Sequence, residues 1–270
     1  MSQHVRFFSP WPEVIIVTLN PRQERILQTI QREGFATIDA LAGQFAVTVQ
    51  TIRRDINTLC GLGLLRRYHG GAGLPSTTHN IAYSTRRALH LEAKIAIAQA
   101  GAAYVPQGSS LFLNLGTTVE QVAVALKRHR NLRIITNNLH VADILCDAPN
   151  AEVIITGGVV RARDRGITSQ TTIDQIRQFS VDYAVIGISG IHRDGTLLEY
   201  DFHEVRVTQA ILEGARQRIL VADYSKFHRN ALVRLGHLRQ IHLLFTDAPP
   251  PADLGEALTQ SEVELRVAPP

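Results

Sequence analysis

Residues 37–72 read TIDALAGQFAVTVQTIRRDINTLCGLGLLRRYHGGA, and the rest of the chain is understood from this stretch outward. Thr37 is a residue type that caps a helix, and Ile38, Leu41, Ala42 and Phe45 follow at helical spacing as one apolar stripe. Ala46 and Val47 leave room only for a turn. Thr48 then opens a second helix whose inward face is Ile52, Ile56 and Leu59. That arrangement turns Gln50, Thr51, Arg53, Arg54 and Asn57 outward. Glutamine can pair bidentately with adenine, and arginine with guanine, in the major groove. Residues 64–71, LLRRYHGG, add a strand with a cationic tip of Arg66, Arg67 and His69 and a two-glycine turn. The pattern is that of a winged helix-turn-helix, expected to contact double-stranded DNA through Thr48, Gln50, Thr51, Arg53, Arg54, Asn57, Arg66, Arg67 and His69. Two short amphipathic helices also serve as a plain core hairpin, and arginine-rich outer faces are often mere solvated surface. The tight turn, the outward Gln-Thr-x-Arg-Arg and the basic wing together favour DNA.

Charge follows the same division. Residues 1–74 carry eight Lys/Arg against five Asp/Glu, whereas the remaining 196 carry twenty against nineteen. The positive excess therefore sits on the segment expected to meet phosphates. At 270 residues the chain can form one small and one large domain, each with its own core. The expected division is an extension over 1–20, the DNA-binding domain over 21–74, a linker over 75–87 and a larger domain over 88–270. In the small domain, Pro21 fits a first helical position, Ile26, Leu27 and Ile30 give an inward face, and Gly34 ends the helix. Residues 1–20 lack both the cationic start and the small-residue cleavage site of a signal peptide, and read as a disordered extension outside the fold, as an upstream start codon would give. Pro75 and the polar residues 76–80 mark the linker, and 86–104 has helical period.

From Ser110 onward, apolar runs alternate with helical stretches. LFLNL, RIITNN, EVIITGG, DYAVIGISG, RILVADY, IHLLFTD and VELRV are strand candidates, with helices over 119–127, 139–146, 172–179 and 204–214. Continuous Val/Ile/Leu runs point to parallel strands covered on both faces, hence a mostly parallel α/β domain with its ligand at the strands' carboxyl ends. Polar residues collect there: Gly116-Thr117-Thr118, Asn137 and Asn138, Gly158 with Arg161, Glu199, Asp201 and Glu204, and Asp223 with Lys226. A glycine turn with two hydroxyls at a helix N-terminus suits a phosphate. Each group alone is better explained as turn chemistry; together they outline a polar crevice for an effector. The enzymatic alternative is acid–base isomerisation by Glu199, Asp201, His203 and Glu204, with Lys226 after another strand. Cys60 and Cys146 make no disulfide framework, no histidine spacing suits a metal, and no Gly-rich nucleotide loop occurs, so neither metal nor cofactor is expected. No apolar run is long enough for a membrane span.

TVQTIRRDINTL followed by LLRRYHGGA resembles the signature of the DeoR family of bacterial repressors, and the resemblance runs from about Arg22 to about Val267. TNNLHVA, GISGIHRDGTLLEYDFHEVR, DYSKFHRNA and TDAPPP are similar, more narrowly, to its subfamily acting in glycerol 3-phosphate metabolism. The resemblance implies a C-terminal domain similar to sugar-phosphate isomerases that senses a phosphorylated metabolite, glycerol 3-phosphate first. It also implies release from operator DNA on binding, a homo-oligomer (dimer or tetramer) and a cytoplasmic location. Two residues depart from the family pattern: Asn114 stands where an Asp is usual, and Thr208 where a Lys is usual. If the two face one another, a charge pair has been replaced by a neutral one.

Overall fold

The computed structural model describes residues 19–74, 80–148 and 151–270. In the small domain, α1 (Pro21–Glu33) begins with a reciprocal cap: Gln23 N–H donates to the Asn20 side chain at 2.9 Å, and Asn20 N–H donates to Gln23 Oε1 at 3.1 Å. Leu19 is buried in the same core. These two residues thus belong to the helix start, unlike the expected extension; the rest of that extension lies outside the described residues. Gly34, at φ 80°, returns its N–H to Ile30 and ends α1.

Next come β1 (Phe35–Thr37), α2 (Ile38–Phe45) and α3 (Val49–Gly61). Thr37 and Thr48 cap the two helices through their hydroxyls, as expected, and Ala46 makes the turn in the left-handed region at φ 51°. The wing strands are β2 (Arg66–Tyr68) and β3 (Gly71–Gly73). They form an antiparallel sheet in the order β1-β3-β2. Ile26, Ile30, Leu41, Ile52, Ile56 and Leu59 are fully buried between the helices, each contributing about 1.5–3 kcal/mol. The glycines of β3 are steric necessities: a Cβ on Gly71 would lie 2.3 Å from the Ala36 carbonyl, and one on Gly73 would lie 2.9 Å from the Tyr68 ring.

The helix expected over 86–104 is two helices, α4 (Tyr83–Ala88) and α5 (Leu91–Tyr104). His90 breaks them apart at φ 52°. The buried Lys94 ammonium then ties the break together by donating to the carbonyls of Arg86 and Leu89. The face of α5 that packs is Ala93, Ile97, Ala98 and Ala102, which leaves Ile95 exposed. Residues 80–87 are therefore structured, although the composition reads as a linker; residues 75–79 lie outside the described residues.

The large domain runs β4 (Ser110–Leu113), α6 (Thr117–Leu126), β5 (Arg133–Thr136), α7 (Leu139–Leu145), β6 (Glu152–Ile155), β7 (Val159–Val160), β8 (Ile167–Thr168), α8 (Gln170–Ile176), β9 (Val181–Ile186), β10 (Gly190–Ile191), β11 (Thr196–Glu199), α9 (Phe202–Glu213), β12 (Ala215–Val221), β13 (Val233–His237), β14 (Leu243–Thr246), α10 (Gly255–Gln260) and β15 (Glu264–Val267). All seven candidate runs enter one sheet, in the order β15-β14-β12-β9-β4-β5-β6, with every pairing parallel. Apolar cores cover both faces: α5, α6 and α7 pack on one side, α8 and α9 on the other. The hairpin β7-β8 and the antiparallel sheet β10-β11-β13 are additions too short for sequence period to show. The chain leaves β4 toward β5 and β6 and later returns to β9 on its other side, so a crevice opens where the strand order reverses.

Candidate functional site

On the small domain, Gln50, Arg53, Arg54, Asn57, Arg66, Arg67 and His69 are exposed, as is Thr48; Thr51 is half-buried. Thr48 and Thr51 share a hydroxyl hydrogen bond of 2.9 Å. Arg53 from α3 and Arg67 and His69 from the wing line one concavity, so helix and wing present a single cationic surface. Sequence period did not reveal the polar contact that ties α3 to α1. Asp55 is buried on the inner side of that helix, where Arg22 Nε donates to it at 2.6 Å and Gln23 Nε2 at 3.2 Å. An acid within an apolar stripe leaves no mark on the hydrophobic pattern. Tyr68 is also exposed in the wing, edge-on to Phe35 and beneath Arg66.

In the large domain a cavity of about 230 Å³ lies at the carboxyl ends of the strands. Gly116, Thr117 and Thr118 form one wall, with Gly116 at φ 138° and no side chain capping the start of α6. Glu199, Glu204 and Lys226 also line it. Six expected residues do not. Asn137 donates from Nδ2 to the Ile167 carbonyl, and Asn138 caps α7. Gly158 has room for no Cβ, which would sit 2.4 Å from Thr172 Oγ1. Asp223 caps the turn that follows β12, accepting from Ser225 N–H. Asp201 caps α9 by accepting from Glu204 N–H at 3.0 Å.

Arg161 is held by three carboxylates: Glu204 at 2.7 Å, Asp164 at 2.8 Å and Asp201 at 3.3 Å. Burial opposes its charge, and these acids more than offset that, raising the guanidinium above its ordinary value. It is a structural cation. Polar lining residues that the sequence did not point to include Asn80, Tyr83 and Arg86 from 80–86, Glu120 from α6, Arg163 and Asp164 between β7 and β8, and Tyr200 after β11. Tyr83 donates its hydroxyl to Glu120 at 2.8 Å and stacks on His140. No sequence signal separated 80–86 from linker.

The remaining polar groups are tuned by burial. Lys226 is pulled down to about 7 by desolvation, against the pull of Asp223 at 3.9 Å. Burial lifts Glu120, opposed by the Tyr83 hydrogen bond. Glu199 is pushed up to about 7 by burial, with the charge of Glu204 adding to it. The folded chain therefore holds a proton on Glu199 that the unfolded chain releases near the usual value of 4.5, and this contribution to stability is lost as pH rises toward about 7. Glu199→Gln is expected to raise the melting temperature at pH 8 and leave it unchanged at pH 4. Equal shifts at both pH values would show that Glu199 does not titrate in this window. Asn114 and Thr208 do face one another: Asn114 Nδ2 donates to Thr208 Oγ1 at 2.9 Å, both buried, and neither lines the cavity. Thr208 in turn donates to the Glu204 carbonyl at 2.9 Å.

A winged helix-turn-helix joined to an α/β domain with a polar cavity at its strand-order reversal defines a two-module DNA-binding regulator. The chain belongs to the DeoR family: residues 22–78 match the DeoR-like helix-turn-helix domain and residues 89–248 the DeoR C terminal sensor domain. It is 44% identical over 246 residues, 91% of this chain and 98% of the relative, to the glycerol-3-phosphate regulon repressor of Escherichia coli (strain K12). It is 43% identical over 249 residues, 92% of this chain and 95% of the relative, to the HTH-type transcriptional repressor CsqR of the same organism. Among solved structures it is similar to ribose 5 phosphate isomerase A from Neisseria gonorrhoeae, at 12% identity and a TM-score of 0.35, over 53% of this chain and 54% of that one. Family membership makes the chain a regulator rather than an enzyme, and the acid–base alternative falls.

Proposed function

We propose that the chain is a repressor of glycerol 3-phosphate metabolism that leaves its operator when a small phosphorylated polyol, glycerol 3-phosphate first, fills the large-domain cavity. The observation that carries this reading is the composition of the cavity wall. The uncapped start of α6 with Thr117 and Thr118 suits a phosphate, while Glu199 and Glu204 can accept from ligand hydroxyls. Lys226 lies nearby and can take up a proton when an anion enters, because burial holds it down to about 7. The similarity to the glycerol-3-phosphate regulon repressor supports the choice of polyol. A second reading, a DeoR-type repressor for a different sugar phosphate, is favoured by the neutral Asn114–Thr208 pair beneath Glu204 and by near-equal identity to a differently named repressor. A homo-oligomer, dimer or tetramer, in the cytoplasm completes the proposal. A thermal-shift screen of polyol and sugar phosphates decides between the two ligands, because a ligand that binds only the folded chain raises its melting temperature. A shift with hexose or pentose phosphates alone would select the second reading.

Gln50, Thr51 and Arg54 are assigned to base edges, with Arg53, Arg66, Arg67 and His69 on phosphates or the adjacent minor groove, and Thr48 and Asn57 at the margin. On an operator selected in vitro, Arg54→Ala is expected to cost about 1–3 kcal/mol, mainly on the specific site. Arg67→Ala should weaken specific and nonspecific DNA alike and reduce the salt slope by roughly one contact. An Arg67→Ala protein that lost discrimination but kept its salt slope would refute the wing assignment.

A further inference from the structure

The segment that joins the two modules also forms one wall of the cavity. Leu89 is buried in the apolar core of the DNA-binding module, and Ile81 packs against that core. Asn80, Tyr83 and Arg86 of the same segment line the cavity, together with Ile81. Asn80 donates to Ser189 Oγ at 3.3 Å and accepts from Arg229 at 2.9 Å. The segment from Asn80 to Leu89 thus touches both modules.

Arg86 differs from Arg161 in how closely carboxylates hold it, although each has one buried nitrogen without a hydrogen-bond partner among the described residues. Its closest carboxylate is Asp164 at 3.9 Å, its guanidinium lies over the Tyr83 ring, and its buried Nε has no hydrogen-bond partner among the described residues. The side chain is mostly buried, so this donor is costly to leave unmade and water satisfies it poorly. The backbone of the same residue is tied on both sides. Its carbonyl accepts from Lys94 Nζ, and Thr117 Oγ1, in the cradle at the start of α6, approaches it at 3.5 Å. Lys94 also donates to Leu89, so its ammonium staples α4 to the start of α5.

We propose that Arg86 is the cation that meets the ligand's anionic group opposite Gly116, Thr117 and Thr118, and that through it cavity occupancy is transmitted to the DNA-binding module. This rests on the reading of the cavity as the effector site. A dianion between the α6 start and Arg86 makes charge-assisted hydrogen bonds that the weak Asp164 pairing does not supply. It draws Arg86 away from Asp164. Because Lys94 fixes α4 to α5 and Ile81 and Leu89 are seated in the other module, α4 cannot shift without changing how the modules meet. A ligand can alter DNA affinity only through such a difference between two arrangements. A neutral polyol, which has no anionic group for Arg86, is expected to give no release.

The test uses the full chain. Calorimetry measures glycerol 3-phosphate, inorganic phosphate and glycerol binding to wild type, Thr117→Val and Arg86→Gln, and anisotropy measures operator affinity with and without glycerol 3-phosphate. Expected for Arg86→Gln is at least roughly tenfold weaker glycerol 3-phosphate binding, with unliganded operator affinity within about twofold of wild type. Inorganic phosphate should bind wild type more weakly than the ester, and glycerol not detectably. Wild type that ignores glycerol 3-phosphate would refute the effector assignment itself. Wild type that binds it and Thr117→Val that does not, with Arg86→Gln binding and released as wild type is, would overturn the role of Arg86 alone. Hydrogen exchange on the wild-type chain gives a readout that no variant's misfolding can spoil. Glycerol 3-phosphate should slow exchange in 80–90 as well as in 115–120, and protection confined to 115–120 would also overturn it.

Discussion

Arg161→Ala is expected to lower the unfolding free energy of the full chain by about 3–5 kcal/mol, seen as a fall in the urea midpoint. The reason is what the substitution leaves behind. Asp164, Asp201 and Glu204 are mostly buried around one guanidinium, and without it three carboxylates repel one another in a medium that solvates them poorly. Arg163 offers an internal comparison: it touches two of the same acids, Asp164 and Asp201, but its side chain is 55% exposed against 12% for Arg161. Arg163→Ala should therefore cost at most about 1 kcal/mol. Similar effects from the two arginines would mean that the cluster is hydrated and that burial does not govern it.

Thr117→Val is expected to weaken glycerol 3-phosphate binding roughly tenfold to a hundredfold, and with it the release of operator, while DNA affinity without ligand stays near wild type. Valine keeps the branched shape of a side chain that is 8% exposed but removes its hydroxyl. The lost donor is one of the few at the start of α6 that can reach an anion, and hydrogen bonds to charged groups are the stronger kind. The hydroxyl's contact with the Arg86 carbonyl is long, 3.5 Å, so its loss should cost the fold little. A valine variant still released at the wild-type ligand concentration would move the phosphate site away from this turn.

The parts of this protein that repeat a period were readable from the residues. The stripes of α2 and α3, the capping threonines at 37 and 48, and seven apolar runs that became seven parallel strands all follow from local rules. The cavity was readable only in part. Gly116, Thr117, Thr118, Glu199, Glu204 and Lys226 meet there because strand ends converge at the reversal of order, and that convergence is a property of topology. Arg161, Asp201 and Asp223 have the same chemistry in the sequence, yet their charges are already engaged, Arg161 and Asp201 by each other and Asp223 by Lys226. The pairing of Arg161 with Asp201 and Glu204 spans 40 residues or more and leaves no local trace. Asn80, Tyr83 and Arg86 were hidden for the opposite reason: the stretch that carries them reads as linker, and only tertiary contact makes it a wall. Asp55 was hidden because an inward acid breaks no period.

The coupling between cavity and DNA is tested most directly by measuring glycerol 3-phosphate affinity twice, for the free chain and for the chain saturated with operator. Linkage requires that operator weaken ligand binding by the same factor by which ligand weakens operator binding. The expected result is weaker binding in the presence of operator, by a factor matching that found in the operator titration. The same ligand affinity with and without operator would contradict it, because a ligand indifferent to DNA cannot be what releases the protein.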